Sequence, residues 1–185
     1  GVILTPLLLC GGMALAALLS WKFFGVLLGY YVITSAYSLH LKQVVLADVL
    51  ILAFLYAWRV FAGAVATDIR LSHWFLAFFG FLFFSLALVK RCSELILTAK
   101  NNEAANKRRG YLVGDLNQLE SFGSSSGYIA VLVLALYISS DMGTSSYKHP
   151  QLLWLVCPLL LYWISRMWLM AHRGQMAIDP LVFSM

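Results

Sequence analysis

The sequence predicts an all-α fold, a polytopic transmembrane helical bundle. Three observations carry that prediction. Of the 185 residues, 62% are hydrophobic and only 11% charged, where soluble domains hold about 45–50% apolar and about 25% charged residues. The mean hydropathy is +0.83. The apolar residues fall into runs close to the ~20 needed to cross a hydrocarbon core. Those runs lack the alternating period of barrel strands, which leaves helices as the spanning structure.

Six spans follow in order. Val2–Leu19 is the first. It carries Pro6 and Gly11-Gly12, which membrane helices accept, and it lacks the basic leader and small-residue cleavage site of a signal peptide. Phe23–Tyr37 is the second, after the connection Ser20-Trp21-Lys22. Leu46–Ala66 is the third and contains Arg59. Trp74–Val89 is the fourth and runs into a polar loop expected at about 90–120. Gly127–Ser139 is the fifth, short unless it extends back through Ser121–Ser126. Leu152–Met170 is the sixth and contains Arg166. The short connections around 20–22 and 67–73 predict antiparallel helix pairs. Ser121–Gly127 reads either as a small-residue surface for close helix packing or as a loop end. The opening at Gly1 without Met, and the ending at Asp179–Met185 without a tail, read as those of a segment of a longer polypeptide.

The 13 Lys and Arg residues set an expected orientation. One set of connections holds Lys42, Lys90, Arg91, Lys100, Lys107, Arg108, Arg109, Arg166 and Arg173; the other holds Lys22, Arg70 and Lys148; Arg59 lies inside a span. The nine-to-three bias places 38–45, 90–120 and the C-terminus on the cytoplasmic side. The same rule accounts for the net charge of +5, and there is no basic face interleaved with aromatics of the kind that binds single-stranded nucleic acid. Cys10, Cys92 and Cys157 are isolated, so neither a disulfide framework nor a metal motif is indicated. No P-loop, dinucleotide fingerprint or Ser-His-Asp order is present.

Charge near lipid is costly and marks candidate sites. Lys90 and Glu94 are four apart and share a helix face. With the fork of Arg91 they can grip a phosphate and a metal or hydroxyl, or they can be a snorkelling helix end with an ion pair. Tyr37, His40 and Lys42 end the second span; the Tyr hydroxyl and Lys ammonium suit a diphosphate or leaving group, and equally an interfacial belt. Asp48 opens the third span, either as an acid favoured by the helix dipole or as a metal or pentose ligand. Arg59, thirteen residues into that span, must face the bundle interior. Arg166, His172 and Arg173 are explained by snorkelling. Asp115 and Glu120 do not make an aspartate-rich metal motif.

Taken together, Tyr-Ser-Leu-His-Leu-Lys (37–42), Asp48, Trp-Arg-Val-Phe-Ala-Gly-Ala-Val-Ala (58–66) and Leu-Ala-Leu-Val-Lys-Arg-Cys-Ser-Glu-Leu (86–95) resemble the UbiA superfamily of intramembrane prenyltransferases. Arg-Arg-Gly-Tyr (108–111) and Ile-Asp-Pro-Leu-Val-Phe (178–183) fit its decaprenyl-phosphate phosphoribosyltransferase-like branch. The resemblance covers nearly the whole chain. It implies a nine-helix bundle around a cavity open to the cytoplasm and to lipid, of which this chain, as one partial transferase domain, supplies helices three to eight. It implies Mg²⁺ whose principal ligands lie in an upstream Asn-Asp motif missing from this chain, with Glu94 as a further ligand. Two departures stand out: Lys90, Arg91 and Glu94 replace the second aspartate motif of the prenyltransferase branch, and Tyr37 and Lys42 are one residue further apart than the family's Tyr-x3-Lys.

The resemblance implies a segment of a Mg²⁺-dependent transferase in the bacterial inner membrane, with its active site on the cytoplasmic side. It would join a polyprenyl phosphate to a phosphoribosyl diphosphate-type donor. Its partners are the isoprenoid lipid, the phosphorylated donor and the bilayer, with no nucleic acid. Tyr37 and Glu94 are the implied catalytic residues; Lys42, Asp48, Arg59, Lys90 and Arg91 are the implied substrate-binding residues. The segment by itself is expected to be inactive. One alternative is prenyl transfer from a prenyl diphosphate to an aromatic or other small acceptor. Another is a non-catalytic transporter or structural subunit, against which the clustering of charge at one rim counts.

Overall fold

The computed structural model describes residues 4–69, 71–100, 110–140 and 150–175. It is the all-α bundle expected. Among the described residues six α-helices run as α1 (Leu4–Leu19), α2 (Trp21–Leu39), α3 (Ala47–Ala66), α4 (His73–Lys100), α5 (Leu116–Ser139) and α6 (Val156–His172). Short 3-10 turns at Leu41–Gln43, Val113–Asp115 and Pro150–Leu155 join them, and no strand occurs among the described residues. Of the expectations made on sequence, those for Arg70, Lys107–Arg109, Lys148 and residues 178–183 lie outside the described residues.

Each expected span has its helix, but the helices are not equivalent. Among the described residues four segments are long and apolar enough to cross a membrane: Ala47–Ala66, His73–Leu97, Val113–Ser139 and Leu152–His172. The 16 described residues of α1 extend about 24 Å at ~1.5 Å per residue, short of a ~30 Å hydrocarbon core. The 19 residues of α2 include three tyrosines, Thr34, Ser35 and Ser38, which dilute its hydropathy.

The fourth and fifth helices overrun the expected loop of 90–120. Between Gly80 and Gly110 the sequence has neither glycine nor proline, and Lys90, Arg91 and Glu94 are good helix formers. The helix therefore continues to Lys100 and does not stop at Val89. At the other side of the connection the Asp115 carboxylate accepts from the Leu112 N–H at 2.9 Å, and α5 starts at Leu116.

The core lies where α4, α5 and α6 meet, around Leu88, Val89, Cys92, Ala130, Ile164 and Ala171. Helices in lipid gain little from apolar burial between them, so close fit and interhelical hydrogen bonds decide their packing. Ser85 of α4 is the hub: its hydroxyl donates to the Gly123 carbonyl at 2.7 Å and accepts from the Trp168 indole N–H at 3.1 Å. One turn along, Ser126 donates to the Phe81 carbonyl at 2.8 Å. Gly123 and Gly127 permit this approach. A methyl at Gly123 would overlap the Trp168 ring, and one at Gly127 would lie 2.7 Å from Ile164 Cγ2 and 3.0 Å from Ser85 Oγ. Of the two readings of Ser121–Gly127, the structure shows the close-packed helix. Against this rigid block α3 packs on α4, α2 on α3, and α1 on α2. The Trp58 indole donates to the Val26 carbonyl at 3.0 Å, where Gly29 leaves room for its ring.

Gly123→Val is expected to lower stability by about 1–3 kcal/mol through overpacking, read as a lower Tm in detergent. Gly63→Ala, whose methyl meets nothing within 4 Å, is expected to leave Tm unchanged or raise it.

Candidate functional site: a buried ion cluster at one end of the bundle

Asp48 occupies the first turn of α3, where the exposed N–H groups and the helix dipole favour a negative charge. It is fully buried, so its carboxylate needs partners from the protein. It finds them on two other segments. Arg91 of α4, 4% exposed, donates from Nε to Asp48 Oδ2 at 2.6 Å. Tyr111, just before α5, donates its hydroxyl to Asp48 Oδ1 at 2.5 Å. Arg91 also donates from Nη1 to Glu94 Oε2 at 2.5 Å, one helical turn along α4. The Tyr37 phenol, near the end of α2, lies close enough to Arg91, Asp48 and Glu94 to feel their charges.

The backbone around the cluster is bent to make it. Leu46, which precedes α3, adopts φ 65°, a left-handed conformation that costs a branched side chain energy. Its N–H is donated to the Tyr111 hydroxyl at 2.9 Å. Gly110 holds φ +72°, and a side chain there would press on Val45 Cγ2 at 3.0 Å. Burial and the neighbouring Asp48 raise the Tyr111 phenol well above its ordinary value, so it remains a proton donor through the physiological range.

The structure thus brings together Tyr37, Asp48, Arg91 and Glu94, and shows Asp48 as both a helix N-terminal acid and an ion-pair partner. Lys90 and Glu94 lie on the extended fourth helix, both half-buried, and Lys42 is half-buried in the turn between α2 and α3. Arg91 is held by two carboxylates, which offset its charge.

Arg59 stands apart from this cluster. It follows Asp48 by eleven residues, about 16 Å along α3, and is exposed on the described chain, where the sequence argued for an inward guanidinium. Its charge is met by aromatic groups instead. Nε and Nη2 donate to the Tyr30 hydroxyl at 2.9 and 2.6 Å, and the guanidinium lies 5.4 and 5.3 Å from the Tyr30 and Tyr56 ring centroids. Arg166 and Arg173 are also exposed, and His172 pairs with Glu120 at 3.0 Å.

Tyr111 is the residue that sequence reasoning did not place. It lies 63 positions from Asp48, and nothing in its local pattern announces a partner. The signal available was Asp48 itself, since a carboxylate buried at the start of a span demands donors from elsewhere.

An apolar groove of about 700 Å³ runs between α3 and α4, walled by Leu50, Phe54, Trp58 and Phe61 on one side and Gly80 and Phe84 on the other. Leu50 is two residues from Asp48, and Phe84 is about two turns from Arg91. The described carboxylates do not make a Mg²⁺ site by themselves. Asp48 is taken up by Tyr111 and Arg91, Glu94 pairs with Arg91, and no group of three acidic, His or Cys ligands occurs among the described residues.

No protein-family model matches the chain. It is similar to three curated proteins. It is 33% identical over 187 aligned positions to the uncharacterized protein y4nM of Sinorhizobium fredii, covering 100% of this chain and 36% of that protein. It is 31% identical over 166 positions to the nodulation protein NoeC of Azorhizobium caulinodans, covering 88% of this chain and 53% of NoeC. It is 33% identical over 122 positions to the decaprenyl-phosphate phosphoribosyltransferase of Mycolicibacterium smegmatis, covering 63% of this chain and 35% of the enzyme. The chain therefore spans about a third to a half of the length of these relatives.

Arg91→Met is expected to cost about 3–5 kcal/mol, because it strands a buried carboxylate. Asp48→Leu introduced beside it should restore much of that loss. Denaturant unfolding in micelles measures both.

Proposed function

We propose that this chain is part of an integral-membrane transferase that joins a polyprenyl phosphate to a phosphoribosyl diphosphate-type donor. The observation that carries this reading is a charged cluster at the start of α3 together with an apolar groove along α3 and α4 that begins at Leu50, two residues after Asp48. A substrate that is half hydrocarbon and half phosphate needs that combination. The similarity to a decaprenyl-phosphate phosphoribosyltransferase over 63% of the chain supports the same class.

In this reading the groove takes the first isoprene units, and the lipid phosphate comes to rest near Lys90. Its oxygen attacks the anomeric carbon of the donor. The carbon–oxygen bond to the diphosphate breaks, and the diphosphate leaves with the electron pair. Lys42 and Lys90 bind phosphate oxygens as compact cations. Tyr37 flanks the leaving group, and Glu94 accepts from a pentose hydroxyl. Asp48 and Arg91 hold these elements in register more than they bind ligand directly. Arg59, clasped by Tyr30, marks a polar face deeper on the same helix pair. Dependence on Mg²⁺ belongs to the proposal through groups other than the described ones. In this reading the cluster lies on the cytoplasmic face of a bacterial inner membrane, an orientation that the positive bias of the connections supports.

The test uses membranes containing the natural protein. Polyprenyl phosphate with phosphoribosyl diphosphate is offered against prenyl diphosphate with an aromatic acid. Turnover of the first pair is expected, with Lys90→Ala and Glu94→Ala each reducing it at least tenfold. Ala57→Trp, which fills the groove, should raise the KM for the lipid. Turnover confined to the second pair identifies a prenyltransferase and sinks this reading, as would activity indifferent to both Lys90 and Glu94.

A further inference from the structure

We propose that Tyr111 is a positioning residue: its single hydroxyl fastens the connection before α5 to the connection before α3, and so sets the geometry of the charged cluster. Three observations converge on it. The side chain is 3% exposed although it stands outside the helices. Its hydroxyl is used twice, accepting from the Leu46 N–H at 2.9 Å and donating to Asp48 Oδ1. Both connections take left-handed backbone where they meet, at Leu46 and at Gly110, and Gly110 leaves only enough space for Val45.

The chemistry explains why a phenol suits this place. Leu46 is held in a conformation that its side chain disfavours, and the hydrogen bond from its N–H offsets that cost. Asp48 needs a second donor in addition to Arg91, since an unsatisfied buried carboxylate oxygen is costly. A hydroxyl that accepts on one side and donates on the other meets both needs. A phenylalanine would fill the same volume and meet neither. Removing the hydroxyl frees the turn at 44–46, lets Asp48 move away from its position against Arg91, and loosens the place of Glu94 and Tyr37 in turn. Tyr111 thus acts on the cluster through Asp48 and Leu46. The catalytic consequence rests on the transferase reading above; the clasp itself does not.

The test is Tyr111→Phe in the natural protein, with two readouts. Hydrogen exchange at the Leu46 amide is expected to accelerate at least tenfold, with exchange around Gly123 and Gly127 unchanged. In the assay of the preceding subsection, KM for the phosphorylated donor should rise at least fivefold while kcat changes less. Leu46→Gly, which accepts the left-handed turn without help, should recover at least part of that rise in the Tyr111→Phe background. A uniform loss of kcat with Tm, or no recovery with Leu46→Gly, overturns the positioning role. If the wild-type protein turns over neither substrate pair, the transferase reading fails and exchange alone decides the clasp: faster exchange at Leu46 supports it, and unchanged exchange rejects it.

Discussion

The Asp48–Arg91 pair is the interaction on which the other parts of this end of the bundle depend. Removing two charges from water costs several kcal/mol each, and their attraction offsets this only when geometry and further hydrogen bonds are good. Both conditions are met. Arg91 is shared between two carboxylates, and Asp48 is shared between a guanidinium and a phenol. Asp48, Arg91 and Tyr111 lie on three different segments, so the requirement to satisfy one buried carboxylate fixes α3, α4 and the approach to α5 relative to one another. A hydrophobic replacement could be as stable, but it would not dictate which segments must meet.

That pair can be placed accurately because α4 is closely packed. The Ser85 hub, with Gly123 and Gly127 opposite Trp168 and Ile164, locks α4 to α5 and α6 through close fit. Arg91 lies less than two turns beyond Ser85 on the same uninterrupted helix. The rigidity of a small-residue junction is thus carried along α4 to the charges. The other side of the cluster is set by softer means, a left-handed turn at Leu46 and a single hydroxyl at Tyr111. One wall of the site is packed and the other is tied.

How much of this was legible in the sequence follows from the range of each interaction. The helices and their order could be read because hydropathy is a local property; all six lie where the apolar runs place them. Their ends were less legible. The fourth helix overran its expected stop at Val89 because charge alone does not end a helix that lacks glycine and proline. Asp48 was singled out for being an acid at the start of a span, but its partners were not, because 43 and 63 residues separate it from Arg91 and Tyr111. The small-residue run 121–127 was recognised as ambiguous. Only the Trp168 ring, which a glycine must admit, decides it in favour of packing.

The two arginines of α3 and α4 show how the same guanidinium can be accommodated in opposite ways. Arg91 is buried and neutralised by carboxylates; Arg59 is exposed and held by the hydroxyl and ring faces of tyrosines. An aromatic face attracts a cation but leaves it charged. A formal charge exposed at that depth would be expensive against hydrocarbon. The Tyr30–Arg59–Tyr56 face is therefore one that physics turns toward water or protein and away from lipid, while the opposite side of α3, with Leu50, Phe54 and Phe61, is suited to a chain of hydrocarbon. One helix then carries a polar face and an apolar face, with Asp48 in its first turn. A site that must bring a phosphate to a lipid is served by that division of a single helix into two faces.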